Sequence, residues 1–232
     1  MTMIAAVMTP ILLGFGESYR GLHIPLTGCW HIIVKSPAKR TAMATKKAPA
    51  KKAPAKTNTI KLDEAAIDKA RKSLDDGPVT PSLEGHTEAI IKLLNDSLAT
   101  ELVCVMRYRR HHFTARGLES PAIAAEFMVH ANSELGHADR IAERIVQLGG
   151  EPDYNPDTLL ERSHADYNDS LSLKAMIESN LIAERIAVET YRQMVRLIGD
   201  IDPTTKRLIE SILADEEEHA DELSDWMTRV KA

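Results

Sequence analysis

Two glutamate–histidine pairs in the second half of the chain carry most of its chemical information. Glu134 with His137, and Glu216 with His219, stand three residues apart, a spacing that projects both side chains from one face of a helix. Each pair opens the same string, Glu-x-x-His-Ala-Asp. A second motif is duplicated upstream of each copy: Glu101 is followed by Tyr108-Arg109, and Glu184 at the same interval by Tyr191-Arg192. The chain therefore holds an internal repeat in which polar positions, not only apolar ones, recur in register.

The neighbours of these acids define the chemistry. Glu101 lies in Leu-Ala-Thr-Glu-Leu-Val-Cys-Val-Met and Glu184 in Asn-Leu-Ile-Ala-Glu-Arg-Ile-Ala-Val, so both fall on the apolar stripe of a helix. An ionised carboxylate buried without a partner is unfavourable by several kcal/mol, or it takes up a proton. Four carboxylates and two imidazoles meeting inside a bundle therefore require positive charge among them. Two divalent ions balance four glutamates with neutral histidines. The six side chains offer one nitrogen per ion, carboxylate oxygens for bridging, and open positions for O₂ or peroxide. Mixed oxygen and nitrogen ligation suits iron or manganese better than thiolate-seeking metals.

Positioning six such ligands takes four long helices. The spacing predicts helices from Ser82, capped by Pro81-Ser82, to about Arg116, and from about Ser120 to Gln147. Two more are predicted from about Ser170 to Leu197 and from Thr204 to about Val230. Short links join the helices of each pair, and a Pro/Asp/Asn-rich connection from Glu151 to about Asp169 joins the pairs. That pattern is an all-α four-helix bundle with a long crossover between helices 2 and 3. Asp63 to Leu74 reads as a short amphipathic helix before Gly77-Pro78.

Composition agrees. The 232 residues are 44% hydrophobic and only 4% aromatic, too few rings for a sandwich or barrel. Two cysteines, Cys29 and Cys104, with no CxxC, exclude a disulfide framework and fit a reducing compartment. The net charge of −5 conceals a split: residues 1–62 hold ten Lys/Arg and one acid, and the remainder holds 19 Lys/Arg and 33 acids. The basic part contains Lys46-Lys47-Ala48-Pro49-Ala50, repeated at once as Lys51-Lys52-Ala53-Pro54-Ala55. Proline every fifth residue blocks a helix, so an extended cationic arm is expected. Ile4 to Phe15 is apolar but interrupted by Pro10 and Gly14, too short for a membrane span of about 20 residues and without the basic start of a signal peptide. The expected division is therefore 1–42 as upstream-encoded or non-native sequence, with translation starting at Met43, then 43–81 as arm and linker helix, and 82–232 as the bundle. A signal-like segment is the alternative for the first part.

Residues from about 83 to 230 resemble a bacterioferritin-type member of the ferritin-like superfamily. The resemblance rests on Glu101 with Tyr108, Glu134-Leu-Gly-His137-Ala-Asp-Arg140, Ala183-Glu184, and Asp215-Glu216-Glu-Glu-His219. It implies ferroxidase activity, with Fe²⁺ oxidised by O₂ or H₂O₂ and ferric mineral stored in a homo-oligomeric shell. It also implies two iron ions per subunit on Glu101, Glu134, His137, Glu184, Glu216 and His219, with manganese or zinc as other occupants, and Tyr108 as a catalytic residue beside them. Two departures shape the expectation. Leu135 occupies the position of the haem-ligating methionine, so no haem is expected. The chain ends at Ala232 without the short fifth helix of 24-subunit shells, which favours a 12-subunit shell of the Dps type.

Other residues receive plainer readings. Glu178, Glu189, Glu217, Glu218 and Glu222 read as solvated faces, His111-His112 as a surface pair, and Cys104 as a small core residue. Met106, Met128, Met176 and Met194 read as core. His130, one turn before Glu134, is left between ordinary packing and lining an iron path. Lys46, Lys47, Lys51, Lys52, Lys56 and Lys61 are expected to bind double-stranded DNA without sequence preference, against a plain solubilising linker. A cytoplasmic, nucleoid-associated location and no membrane partner follow as expectations. Two further functions stay open: a non-storing di-iron oxidase or peroxidase of rubrerythrin type, and a mainly structural nucleoid protein.

Overall fold

The computed structural model describes residues 60–117 and 120–231. The readings of residues 1–42 and of Lys46, Lys47, Lys51, Lys52 and Lys56 lie outside them; Lys61 is exposed. Six α-helices occur among the described residues and no strand. They are α1 (Glu64–Ala70), α2 (Thr87–Thr114), α3 (Ser120–Gln147), α4 (Leu159–Arg162), α5 (Leu173–Ile198) and α6 (Pro203–Lys231). None is long and apolar enough to cross a membrane.

The four long helices bury one stripe each, spaced alternately three and four residues apart. On α2 the stripe is Leu94, Leu98, Glu101, Val105 and Tyr108, and on α3 it is Phe127, Ala131, Glu134, Ala138, Ile141 and Ile145. On α5 it includes Ile177, Glu184, Ala187, Tyr191, Met194 and Ile198, and on α6 Ile209, Ile212, Glu216, His219 and Leu223. Helix α2 packs mainly on α3 and α5 mainly on α6. Two apolar clusters result, one around Leu94, Leu98, Ile141, Ile145, Met194 and Ile209, the other around Tyr108, Ile123, Phe127, Ile177 and Leu223. The glutamates of all four stripes fall between these clusters.

The crossover, residues 148–172, returns along α2 and is tied to it at successive turns. Asn95 accepts from the Asp153 amide at 2.8 Å, Thr100 accepts from the His164 amide at 2.9 Å, and Arg107 donates to the Asp166 carbonyl at 2.9 Å. The Pro/Asp/Asn-rich connection contains the one-turn helix α4. Asp202 caps α6 by accepting from the Thr205 amide at 3.0 Å, and its other oxygen pairs with buried Arg144 of α3 at 2.8 Å.

Three expectations need correction. Helix α2 starts at Thr87 rather than Ser82, because the chain turns through Gly85, whose φ of +85° no helix admits. His111 is not a surface residue: it is buried against Phe127 of α3 and Asn168 of the crossover, and its Nδ1 faces Asn180 Nδ2 at 3.1 Å. Burial, then repulsion from Arg107 and Arg110, lowers its pKa to about 4. Met106 is exposed and Met128 only half-buried, whereas Met176 and Met194 are core, as is Cys104. The short helix foreseen at Asp63 forms with Asp63 as its cap but buries none of its residues.

Candidate metal centre

At mid-bundle the repeat closes on itself. Glu101 (2% exposed), Glu134 (1%), Glu184 (2%), Glu216 (1%), His137 (2%) and His219 (7%) converge between the two apolar clusters. They form two overlapping sets of donor atoms, Glu101–Glu134–His137–Glu216 and Glu134–Glu184–Glu216–His219. His137 Nδ1 lies 3.1 Å from Glu134 Oε2, 3.1 Å from Glu216 Oε1 and 3.6 Å from Glu101 Oε2. His219 Nδ1 lies 3.2 Å from Glu134 Oε1, 3.7 Å from Glu216 Oε2 and 3.9 Å from Glu184 Oε2. Glu134 and Glu216 thus each turn one oxygen to one histidine and the second oxygen to the other. Ligands about 2.1 Å from a single ion lie about 3.0 Å apart at right angles and about 3.4 Å apart at tetrahedral angles. The observed separations fall around those edges.

These atoms are not satisfied by one another. Glu134 Oε1, both oxygens of Glu216 and His219 Nδ1 are shielded from solvent and have no hydrogen-bond partner among the described residues. The 3.2 Å approach of His219 to Glu134 therefore misses the angle a hydrogen bond needs. Unpaired buried polar atoms are rare in folded proteins, and four in one place mark a site that a cation would complete. The donor set, carboxylate oxygen with imidazole nitrogen, fits Fe or Mn.

The electrostatics tell the same story. Burial, then repulsion from Glu216 and Glu134, holds the Glu101 carboxyl well above the ordinary range, and Glu184 is raised by burial and the same two neighbours. For Glu134 burial opposes ionisation, but His137 and His219 outweigh it and lower its pKa. Burial would also lower His219, yet Glu134 and Glu216 raise it to about 10; His137 is raised in the same way by Glu101, Glu134 and Glu216. Without metal, protons hold the place of cations.

Around the donors, each tyrosine reaches across to the other half of the repeat. Tyr108 on α2 donates to Glu184 on α5, and Tyr191 on α5 donates to Glu101 on α2. Both phenols are pushed up, by burial and then by the glutamate they bond. Asp215 accepts from His137 Nε2 at 3.1 Å and so fixes the ring with Nδ1 inward. Sequence reasoning missed Tyr191 and Asp215 in these roles, although the duplication that pairs Tyr108 with Tyr191 was there to find the first. It also missed Arg107, which is fully buried and donates to Asn180 at 2.8 Å. Glu222, read as solvated, bonds His130 at 2.9 Å, while Glu217 is an exposed partner of Arg192. His130 is completely buried, and burial followed by repulsion from His219 lowers its pKa to about 4.

The ferritin-like domain family matches residues 91–232. The bacterioferritin of Desulfovibrio desulfuricans is 30% identical over 139 residues, covering 59% of this chain and 73% of that protein. The nutrient stress-induced DNA-binding protein of Synechococcus sp. is 30% identical over 137 residues, covering 58% and 78%. Among solved structures, the dodecameric thioferritin of Bacteroides fragilis, a bacterioferritin-related protein, superimposes with a TM-score of 0.62 at 28% identity, covering 70% of this chain and 95% of that one.

Proposed function

The chain belongs to the ferritin-like domain family, and from that membership and the buried donors we propose that it oxidises Fe²⁺ and stores the product as ferric mineral. Glu101, Glu134, His137, Glu184, Glu216 and His219 hold two iron ions. Each ion is a substrate that gives up one electron to O₂ or H₂O₂. The observation that carries this reading is the division of the Glu134 and Glu216 oxygens between two histidines, which makes two adjoining pockets rather than one.

The protein's own residues supply positioning and exclusion. Tyr108 and Tyr191 orient Glu184 and Glu101, and Tyr108 adjoins the reacting atoms as the catalytic tyrosine. The apolar layers on either side limit water to what the reaction needs. Leu135 offers no ligand to haem, and none is proposed. Exposed apolar residues on the outside of the bundle, among them Phe113, Val129 and Ile182, are covered by neighbouring subunits in a homo-oligomeric shell. A shell of twelve is the reading that the B. fragilis relative supports.

The test is Fe²⁺ oxidation, followed optically after mixing anaerobic protein and iron with O₂ or with H₂O₂. Glu134→Ala and His219→Ala each remove a donor that no neighbour replaces, and each should slow oxidation by about 100-fold or more. Unchanged progress curves in both variants would sink the assignment.

A second activity has its own support, the DNA-binding relative and the lysine arm. Lys46, Lys47, Lys51, Lys52, Lys56 and Lys61 bind duplex phosphates without reading sequence. Such an arm would hold the protein on the nucleoid, in the cytoplasm.

A further inference from the structure

The polar seam does not end at the six donors. On α3, Glu126 and His130 lie two turns and one turn before Glu134 on the same face, and on α6 Glu222 lies one turn past His219. The helices run antiparallel here, so these three side chains meet just beyond the centre. His130 Nε2 is 2.9 Å from Glu222 Oε2 and 3.7 Å from Glu126 Oε1. Those separations bracket the ligand–ligand edges of about 3.0 to 3.4 Å expected around one ion. His130 is wholly buried, whereas the side chains of Glu222 and Glu126 are 42% and 28% exposed. The cluster therefore joins solvent to the interior. His130 also belongs to an inner set with Glu184 and His219, and its ring stacks on that of His219 at 4.2 Å.

Hydrogen-bond inventory gives an independent argument. Tyr108 has a single proton to donate. That proton goes to Glu184, and the Tyr108 oxygen accepts from His130 Nδ1 at 3.1 Å. His130 Nε2 is then left facing the Glu222 carboxylate, with the Glu126 carboxylate behind it. Both carboxylates are partly exposed, so this end of the seam opens to solvent.

We propose that Glu126, His130 and Glu222 form an outer divalent-cation site through which Fe²⁺ reaches the centre. The site rests on the metal reading of the centre and extends it toward the surface. A cation held there takes one atom from each of the three side chains, and two partly exposed carboxylates raise its local concentration at the mouth.

Zn²⁺ is the probe, with full-length crystals soaked in the metal and anomalous density recorded at its absorption edge. The expected map has two peaks among the six inner donors and a third about 2.0–2.2 Å from His130 Nε2 and a Glu222 oxygen. Glu126→Gln with Glu222→Gln should remove the third peak and keep the inner two. In solution the same double variant should bind one Co²⁺ fewer per chain by calorimetry and fill the centre about tenfold more slowly, to the same endpoint. Glu134→Ala should do the reverse, losing inner density while the outer peak persists. A filled centre with no density at His130, or a double variant with undiminished stoichiometry, overturns the outer site. Absence of the inner peaks from unaltered protein would overturn the centre instead, and is read separately.

Discussion

Each of the four glutamates takes a position on its helix that the three-and-four spacing would otherwise give to an apolar side chain. The raised pKa values of Glu101 and Glu184 and the lowered value of Glu134 follow from that placement, and they set the sign of two pH effects. Glu101 and Glu184 hold protons more tightly folded than unfolded, so their contribution to the metal-free fold is full below the unfolded carboxylate pKa of about 4.3. It is lost as pH rises through their folded values. Denaturant unfolding of metal-free protein should accordingly show stability falling as pH rises from about 5 to 8. Metal binding has the opposite dependence, because those protons, and the one that His219 keeps up to about pH 10, must leave before the ligands can bind. Calorimetric Zn²⁺ titrations in buffers of different ionisation heat should show net proton release and affinity that tightens with pH. Glu101→Gln should release fewer protons and bind at least about tenfold more weakly. An affinity flat from pH 6 to 8 would contradict this account.

At the scale of elements, the bundle depends on a few polar joints as well as on its stripes. Asp202 caps α6 with one oxygen and pairs with Arg144 with the other, and both residues are buried. Asp202→Ala leaves a buried guanidinium without its partner and should destabilise the fold by about 3–5 kcal/mol, measured by denaturant unfolding, with metal stoichiometry retained in the folded fraction. The long helices were legible because Ala, Leu, Ile and Glu recur at helical spacing without interruption, and because polar residues were duplicated where apolar ones were due. What escaped was whatever depends on one element lying over another. His111 reads as exposed beside His112 and two arginines; Phe127 of α3, Asn180 of α5 and Asn168 of the crossover lie against it and bury it. Glu222 looks like any other acid on α6 until α3 brings His130 to within 2.9 Å. Asp215 adjoins Glu216 in sequence, but its bond to His137 spans two helices.

For the whole molecule, charge is the organising quantity: residues 1–62 carry nine more basic than acidic side chains, and the rest carries fourteen more acidic than basic. Deleting residues 43–62 should leave iron oxidation unchanged, since no proposed iron ligand lies there, and should abolish retardation of duplex DNA. For full-length protein the log–log salt slope is expected to approach about −5 per arm, at about −0.9 for each of six lysine–phosphate contacts. Equal retardation with and without the arm would reduce it to a linker. The crossed tyrosines carry a different consequence. Because Tyr108 bonds Glu184 and Tyr191 bonds Glu101, neither hairpin owns a complete pocket: each lends the other its phenol, a carboxylate common to both donor sets and a facing helix. A chain nicked within the crossover would yield two fragments, each unable to capture a cation alone, that regain the capacity on reassociation. Capture would thus report that both hairpins had docked, so that the ion acts as an inspector of finished assembly.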